Sequence, residues 1–97
     1  MREIRMCSEY ALKNFNSDEE QIVRFTEKLE SGEFNDGTTN EEVVNMLIER
    51  FYSLNKKSFS VENQIIISHL KDVRRQLVRR LGRKIGNVKR YNEEINY

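Results

Sequence analysis

The most constraining feature of this chain is a long apolar stripe that runs through its basic C-terminal half. From Ser60 onwards, apolar residues recur at steps of three and four, the spacing of one face of an α-helix. The stripe consists of Val61, Ile65 or Ile66, Leu70, Val73, Leu77, Leu81 and Ile85. It predicts an amphipathic helix of about 25 residues, or about 37 Å. Ser60 is a candidate N-cap for this helix, and Ser58 is a rival.

Two earlier segments show the same helical period. Ser17 and Glu20 have the spacing of a capping box, which predicts a first helix. Its stripe consists of Ile22, Phe25 and Leu29. Residues 33–40 read EFNDGTTN, a composition typical of turns, and Thr39 or Asn40 can cap the next helix. The stripe of that helix consists of Val43, Val44, Leu47, Ile48, Phe51 and Leu54.

These patterns predict an all-α protein. The chain has no proline and only four glycines, which permits long helices and argues against loop-rich or sandwich folds. We expect a long antiparallel helical hairpin with an N-terminal helix covering it. Residues 1–16 would form an N-terminal arm or short helix, residues 17–86 the helical hairpin domain and residues 87–97 a C-terminal tail. Because a hairpin cannot close its own core, we also expect a homo-oligomer.

Charge is divided unequally along the chain. Residues 1–49 hold 5 basic and 12 acidic side chains, whereas residues 50–97 hold 12 basic and 4 acidic ones. This asymmetry suggests an anionic partner, or pairing of opposite halves between subunits. The longest aliphatic run is Ile65-Ile66-Ile67, far too short to span a membrane, and no secretory signal is visible. We therefore expect a cytoplasmic protein.

No group of residues points to catalysis. The single cysteine, Cys7, and the single histidine, His69, exclude an internal disulfide and a metal site built from cysteines. His69 is next to a stripe residue, so a packed or solvent-facing ring is favoured over a catalytic base. Cys7 has no positioned base near it in the sequence. We expect a protein that is not an enzyme and that uses no metal and no cofactor.

The last helix carries the strongest functional signal. Its basic residues are Lys71, Arg74, Arg75, Arg79, Arg80, Arg83 and Lys84. Arg75, Arg79 and Arg83 are four residues apart and share one face, while Arg80 and Lys84 lie on an adjoining face. Cations one turn apart can grip a phosphate, and arginine does so with a bidentate fork. Composition alone leaves a phosphate ligand, a nucleic acid and an acidic protein open as partners.

The order of short signals from Val23 to Lys84 resembles a family of small phage proteins. The corresponding pieces are Val23-Arg24-Phe25, then NDGTTNEEVVNMLIERFYSL, then FSVENQIIISHL, then LVRRLGRK. This ordered combination is similar to the helical-hairpin domain shared by phage anti-CBASS and anti-Thoeris nucleotide sponges. The resemblance covers about two thirds of the chain.

The resemblance implies a phage-encoded homo-oligomer, for example a hexamer, that sequesters cyclic nucleotide immune messengers. The messengers would be cyclic di- or trinucleotides or glycocyclic ADP-ribose, held without being cleaved. Their capture in the bacterial cytoplasm would block host antiphage signalling. Anti-Thoeris proteins carry a β-rich domain before the hairpin, and no such domain is expected in this chain.

The expected ligand site combines cations, an amide and aromatic rings. Its predicted residues are Asn63, Arg79, Arg80, Arg83, Lys84, Tyr52 and Phe59. The resemblance implies that Asn63, Arg80 and Lys84 contact the ligand, with Lys84 standing where the family has a second arginine. The four cations would hold phosphates, and Asn63 would meet a base or ribose edge. Tyr52 and Phe59 are the candidates for stacking on the ligand.

Three other functions stay open. A phage regulator could bind DNA or RNA through the basic segment 71–90, with an affinity that falls steeply with salt, although the acidic first half would repel a nucleic-acid backbone. An inhibitor could dock the same helix on an acidic host protein and would bind no nucleotide. A structural module would form the oligomer and bind no ligand.

Overall fold

Five β-strands precede two α-helices along the chain, so the protein is α+β and the expected all-α fold is wrong. The computed structural model describes residues 1–85, with side chains described through Arg83. The chain divides into two compact units, of which the first spans Met1–Asn40 and the second begins at Glu41. The tail predicted for residues 87–97 lies outside the described residues.

The first unit consists of two antiparallel sheets. The strands are β1 (Arg2–Arg5), β2 (Glu9–Lys13), β3 (Glu20–Arg24), β4 (Glu27–Lys28) and β5 (Phe34–Asn35). The larger sheet has the order β1-β2-β3, and β4 pairs with β5. In the central strand, Ala11 lies opposite Arg2 of β1 and Ile22 of β3. Ala11 is 0 % exposed, so it marks the centre of this sheet.

A loop and β3 replace the N-terminal helix that was predicted to begin at Ser17. The Ser17 Oγ accepts a hydrogen bond from the Glu19 N–H at 3.3 Å, a local turn rather than a helix cap. The Asn14 N–H donates to the Glu19 carbonyl at 3.0 Å and closes the loop between β2 and β3. The β-branched Ile22 and Val23 then pair with β2, where such side chains fit well. Strand pairing therefore overrode the helical spacing.

Two ion pairs lie on the face of the sheet that includes Ala11. Alternation along the strands puts Glu9 and Ala11 on the same face. The Arg24 Nε donates to the Glu9 Oε1 at 2.6 Å, and the Arg2 Nη2 donates to the Glu20 Oε1 at 2.8 Å. The bond from Arg2 holds the pKa of the Glu20 carboxyl below its ordinary value. Ion pairs between the strands thus connect the sheet on this face.

The opposite face carries the aromatic contact of the first unit. Tyr10 alternates with Ala11 and so points to the other face. Its ring meets that of Phe25 edge-on, with centroids 6.1 Å apart and planes at 82°. The Phe25 N–H donates to the Ser8 carbonyl at 2.7 Å, at the start of β2. This contact therefore joins the start of β2 to the end of β3.

Gly37 lies against the backbone that follows β3. A Cβ at this position would be 2.6 Å from the Phe25 carbonyl carbon and 2.7 Å from the Thr26 nitrogen. The Thr38 N–H donates to the Arg24 carbonyl, and the Thr26 N–H donates to the Thr38 carbonyl, both at 2.8 Å. This close approach of two backbones leaves no room for a side chain, which explains the glycine.

The predicted helical hairpin is confirmed, with α1 spanning Asn40–Lys57 and α2 spanning Val61–Ile85. The 25 residues of α2 match the predicted length. The Ser60 Oγ accepts a hydrogen bond from the Asn63 N–H at 3.2 Å, so Ser60 caps α2. Within the described residues, neither helix is both long and apolar enough to cross a membrane.

The apolar stripes of the hairpin are only partly covered. Ile48 of the α1 stripe is buried. In α2 the buried residue is Ile67, which is 3 % exposed and is not among the predicted stripe residues. Ile65 is half exposed, at 51 %. The half-buried members of the stripes are Val43, Val44, Leu47, Phe51, Leu54, Ile66, Leu70, Leu77 and Leu81. Two helices alone cannot enclose a core, but nothing in the structure tests the homo-oligomer, which stays a prediction.

Candidate functional site

The predicted ligand-binding residues are spread along the whole length of α2. Asn63 lies in its first turn, whereas Arg79, Arg80 and Arg83 lie near its other end. A rise of 1.5 Å per residue separates Asn63 from Arg79 by about 24 Å along the helix axis. One chain therefore does not bring the amide and these arginines onto the same small ligand. The side chain of Lys84 lies outside the described residues.

Asn63 takes part in the turn between the two helices. Its Nδ2 donates to the Asn55 Oδ1 at 3.0 Å, and the same oxygen accepts from the Ser60 N–H at 3.0 Å. The Asn63 N–H in turn donates to the Ser60 Oγ. This network connects the last turns of α1 to the first turn of α2. The turn therefore uses one of the two N–H donors of the Asn63 side-chain amide and fixes its position.

The three arginines near the end of α2 are exposed cations. The side chains of Arg79, Arg80 and Arg83 form no hydrogen bond or ion pair with any other described residue. Each residue advances an α-helix by about 100°, so Arg79 and Arg83 lie about 40° apart on one face. Arg80 lies about 60° from Arg83 by the same geometry. The structure thus leaves three arginine side chains available to an anion on one broad face.

The two predicted stacking residues lie in different places. Phe59 lies in the turn between the helices and is 67 % exposed, so one or both faces of its ring are accessible. Tyr52 lies on α1, and the Nζ of Lys71 lies 5.3 Å from the centre of its ring. Tyr52 is therefore brought together with a cation that was not in the predicted site, and it is partly covered by it.

The pattern of the sequence did not reveal two contacts between α1 and α2, one of Arg74 with Asn45 and one of Lys71 with Tyr52. The Arg74 Nη1 donates to the Asn45 Oδ1 at 3.1 Å, and Lys71 lies over Tyr52. Both cations are half-buried. The three-residue spacing of Lys71 and Arg74 put them on one face of α2, but it did not show which residues of α1 face them.

Other features of the described residues point to no chemistry. An open hollow of about 390 Å³ lies along α1 and is lined by Met46, Arg50, Ser53, Leu54 and Lys57. Cys7 and His69 are both exposed. Within residues 1–83, no three His, Cys, Asp or Glu side chains are grouped so that they could hold a metal ion. The candidate functional residues are therefore the cations of α2 and their neighbours.

Comparison with known proteins adds no family. No family model matches the chain, and searches of curated proteins and of solved structures found no match either. The resemblance to nucleotide sponges thus depends on the short signals between Val23 and Lys84 alone. The function has to be inferred from the residues and their geometry.

Proposed function

We propose that this protein is a phage-encoded sponge that binds a cyclic nucleotide immune messenger and holds it without cleavage. It would act in the cytoplasm of the infected bacterium. The observation that carries the proposal is the exposed arginine face at the end of α2. Arg79, Arg80 and Arg83 make no ion pair with the described residues, so their charge is available to a ligand.

The chemistry of this face suits a ligand with more than one phosphate. Arg79 and Arg83 are one helical turn apart, a rise of about 6 Å along the axis. Arginine presents a planar fork of donors that matches two phosphate oxygens. Cyclic di- and trinucleotides carry several phosphates in one small ring, so neighbouring forks can grip the same molecule. Exposed arginines do not destabilise the fold when they bind nothing, because water solvates their charge. A binding experiment is therefore needed to test whether this face has a ligand.

The β-sheets of the first unit also support the proposal. The sequence analysis expected no β-rich domain before the hairpin, which set the chain apart from anti-Thoeris proteins. The structure corrects this expectation, since five strands precede α1. The layout is therefore closer to that of the anti-Thoeris branch, whose messenger is glycocyclic ADP-ribose. Glycocyclic ADP-ribose accordingly belongs among the candidate ligands.

A homo-oligomer is part of the proposal. Asn63 and Arg79 lie about 24 Å apart along α2 of one chain. If both contact one messenger, a second copy running antiparallel beside α2 has to supply one of them. The acidic first half of the chain and its basic second half favour such pairing between copies. The half-exposed stripe residues of the hairpin would also gain cover in such an assembly.

Titration calorimetry tests the proposal. The panel contains cyclic di- and trinucleotides, glycocyclic ADP-ribose, ATP and a short DNA duplex, and mass spectrometry checks the ligand after binding. We expect sub-micromolar binding of one cyclic species, which is recovered intact. Arg80→Ala should abolish the binding, whereas Lys56→Gln, which removes an exposed charge from α1, should not. Light scattering should show the same oligomer for both variants.

Other outcomes of this experiment identify the alternatives. Failure to bind any cyclic ligand would exclude the sponge. Binding of the duplex alone, with an affinity that falls steeply as salt is added, would make the basic helix a nucleic-acid reader. Binding of nothing in the panel, combined with a stable complex with an acidic host protein, would indicate a protein inhibitor.

A further inference from the structure

Helix α2 has two apolar faces, and only one of them lies towards α1. Ile67, which is 3 % exposed, lies on that face. Asn63 and Arg74, which donate to asparagines of α1, lie within about 40° of Ile67 around the helix axis. A second row of apolar residues lies about 60–120° around the axis from Ile67. We call this row the seam, and it consists of Ile66, Leu70, Val73 and Leu77.

The seam is incompletely covered. Val73 near its centre is 46 % exposed, and the other three residues are half-buried. Steps of four, three and four residues separate its members, the spacing of a coiled-coil contact line, in which side chains of one helix insert between those of another. Because burial of apolar side chains is favourable, the seam is a surface for a further helix.

The apolar surface extends from the seam onto α1. Ile48 is buried and faces α2, as Ile67 faces α1. Leu47 and Leu54 are half-buried and lie about 100–120° around α1 from Ile48, in the same rotational sense in which the seam lies from Ile67. Since the two helices of the hairpin are antiparallel, the same sense puts both rows on one side. One side of the hairpin is therefore apolar across both helices.

The seam is complementary to itself when a second copy lies antiparallel to it. A two-fold axis at its midpoint puts Ile66 opposite Leu77 of the second copy, and Leu70 opposite Val73. Each apolar side chain thus meets an apolar side chain of the other copy. Such an arrangement is isologous, so the same patch serves both copies and the contact closes as a pair.

The charges at the ends of the seam select this antiparallel orientation. Arg80 extends the seam by a step of three from Leu77, so a parallel second copy would place two Arg80 side chains together, which is unfavourable. In the antiparallel register Arg80 comes opposite Asn63 of the second copy, whose amide oxygen can accept hydrogen bonds. Glu62 comes opposite Arg83 of the second copy at the flank of the seam. Both side chains are exposed, so opposite charges meet at each end of the contact.

We infer that the seam is the interface with a second copy of this chain, packed antiparallel with Ile66 opposite Leu77. The inference rests on the proposed function in one respect, because it specifies the homo-oligomer included there. The contact itself needs no ligand. Arg79 lies about 150° around the helix from the centre of the seam, so its side chain stays outside the interface.

Sedimentation velocity of the full chain without ligand tests the interface. We expect wild type to be a dimer or a larger assembly with an even number of copies. Val73→Glu puts a carboxylate near the centre of the seam and should lower the mass of the assembly to half or less. Ile65→Glu is the matched control, because Ile65 is 51 % exposed and lies about 110° from the centre of the seam. This control should keep the wild-type mass.

Cross-linking in a Cys7→Ser background tests the register. His69 and Gln76 are exposed, flank the seam and come opposite each other in the antiparallel pair. Co-expressed His69→Cys and Gln76→Cys chains should therefore cross-link through a short bismaleimide much faster than either variant does with itself. Absence of this mixed product, or preferential cross-linking of His69→Cys chains with one another, would overturn the register.

The remaining outcomes are also decisive. A monomeric wild type would overturn the interface and leave the seam to a different protein, and equal masses for Val73→Glu and Ile65→Glu would overturn it as well. Circular dichroism checks that both variants keep their helices, and if Val73→Glu unfolds, the cross-linking decides alone. None of these measurements contains a nucleotide, so a failed interface and a failed sponge, which calorimetry tests, are distinguished.

Discussion

The Asn63 Nδ2 donates a hydrogen bond to the Asn55 Oδ1 at 3.0 Å across the turn of the helical hairpin. The same oxygen accepts from the Ser60 N–H, so one asparagine of α1 organises the start of α2. Asn63 is also the residue to which the family resemblance assigned a ligand contact. The two roles make different demands on the same amide, and substitution can separate them.

Replacement of Asn63 should lower the stability of the fold, whether or not the residue contacts a ligand. Asn63→Ala removes the bond to Asn55, and we expect the free energy of unfolding to fall by about 1 kcal/mol. Urea denaturation of Asn63→Ala, Asn55→Ala and the double variant measures the coupling between the two residues. A variant that unfolds like wild type but no longer binds a cyclic nucleotide would instead show that the amide serves the ligand.

The N-cap of α2 offers a simple pair of variants. Ser60→Ala removes the acceptor of the Asn63 N–H and should lower the free energy of unfolding by about 1 kcal/mol. Ser58 is the matched control, because its N–H donates to the Leu54 carbonyl and no side-chain bond is lost in Ser58→Ala. Equal destabilisation by the two substitutions would contradict the assignment of the cap.

Gly37 should not tolerate a methyl group. In Gly37→Ala the new Cβ meets backbone atoms of Phe25 and Thr26 within 2.7 Å, and overpacking of this kind costs about 1–3 kcal/mol. We expect amides of β3 to lose protection from hydrogen exchange. Gly32 is the comparison, because a Cβ there would meet no atom within 4 Å, and only its φ of 90° is unfavourable for a side chain, least so for asparagine. Gly32→Asn should therefore leave the hydrogen-exchange protection of the β3 amides unchanged.

The pair of Arg2 and Glu20 should make the first unit sensitive to acid. Because the hydrogen bond from Arg2 lowers the pKa of Glu20, the pair stabilises the fold above the unfolded pKa of glutamate. This contribution is lost as the pH falls through the lower folded pKa. An NMR titration of the Glu20 carboxyl should show a midpoint below that of an ordinary glutamate. Arg2→Gln should raise the midpoint, and salt should reduce the difference.

The hairpin could be predicted because its signals are local and agree with one another. The period of α2 predicted its length, and the Ser60 cap needs only a residue three positions away. The two sheets have weaker sequence signals, because their strands are only two to five residues long. Ser17 and Glu20 imitate a capping box, and Ile22 and Phe25 imitate a helical stripe. This segment is a strand because it pairs with β2, and a local sequence pattern cannot show such a pairing.

The sequence could predict only those features of the candidate site that depend on positions along a single helix. The spacing of Arg79 and Arg83 puts them on one face whatever α2 packs against. The contacts of Lys71 with Tyr52 and of Arg74 with Asn45 depend instead on the register between α1 and α2. Asn63 is predicted to contact a ligand, and its bond to Asn55 could not be foreseen because the sequence does not show that Asn55 lies across the turn.

The strand order of the first unit has a consequence for synthesis of the chain. Each strand of both sheets pairs with a neighbour in sequence, as β1 does with β2, β2 with β3 and β4 with β5. Such pairings close short loops at low entropic cost and form quickly. Both sheets use only residues up to Asn35, so they can form before either helix has left the ribosome. The N-terminal unit can therefore fold on the ribosome first, and the arginine-rich helix emerges after it.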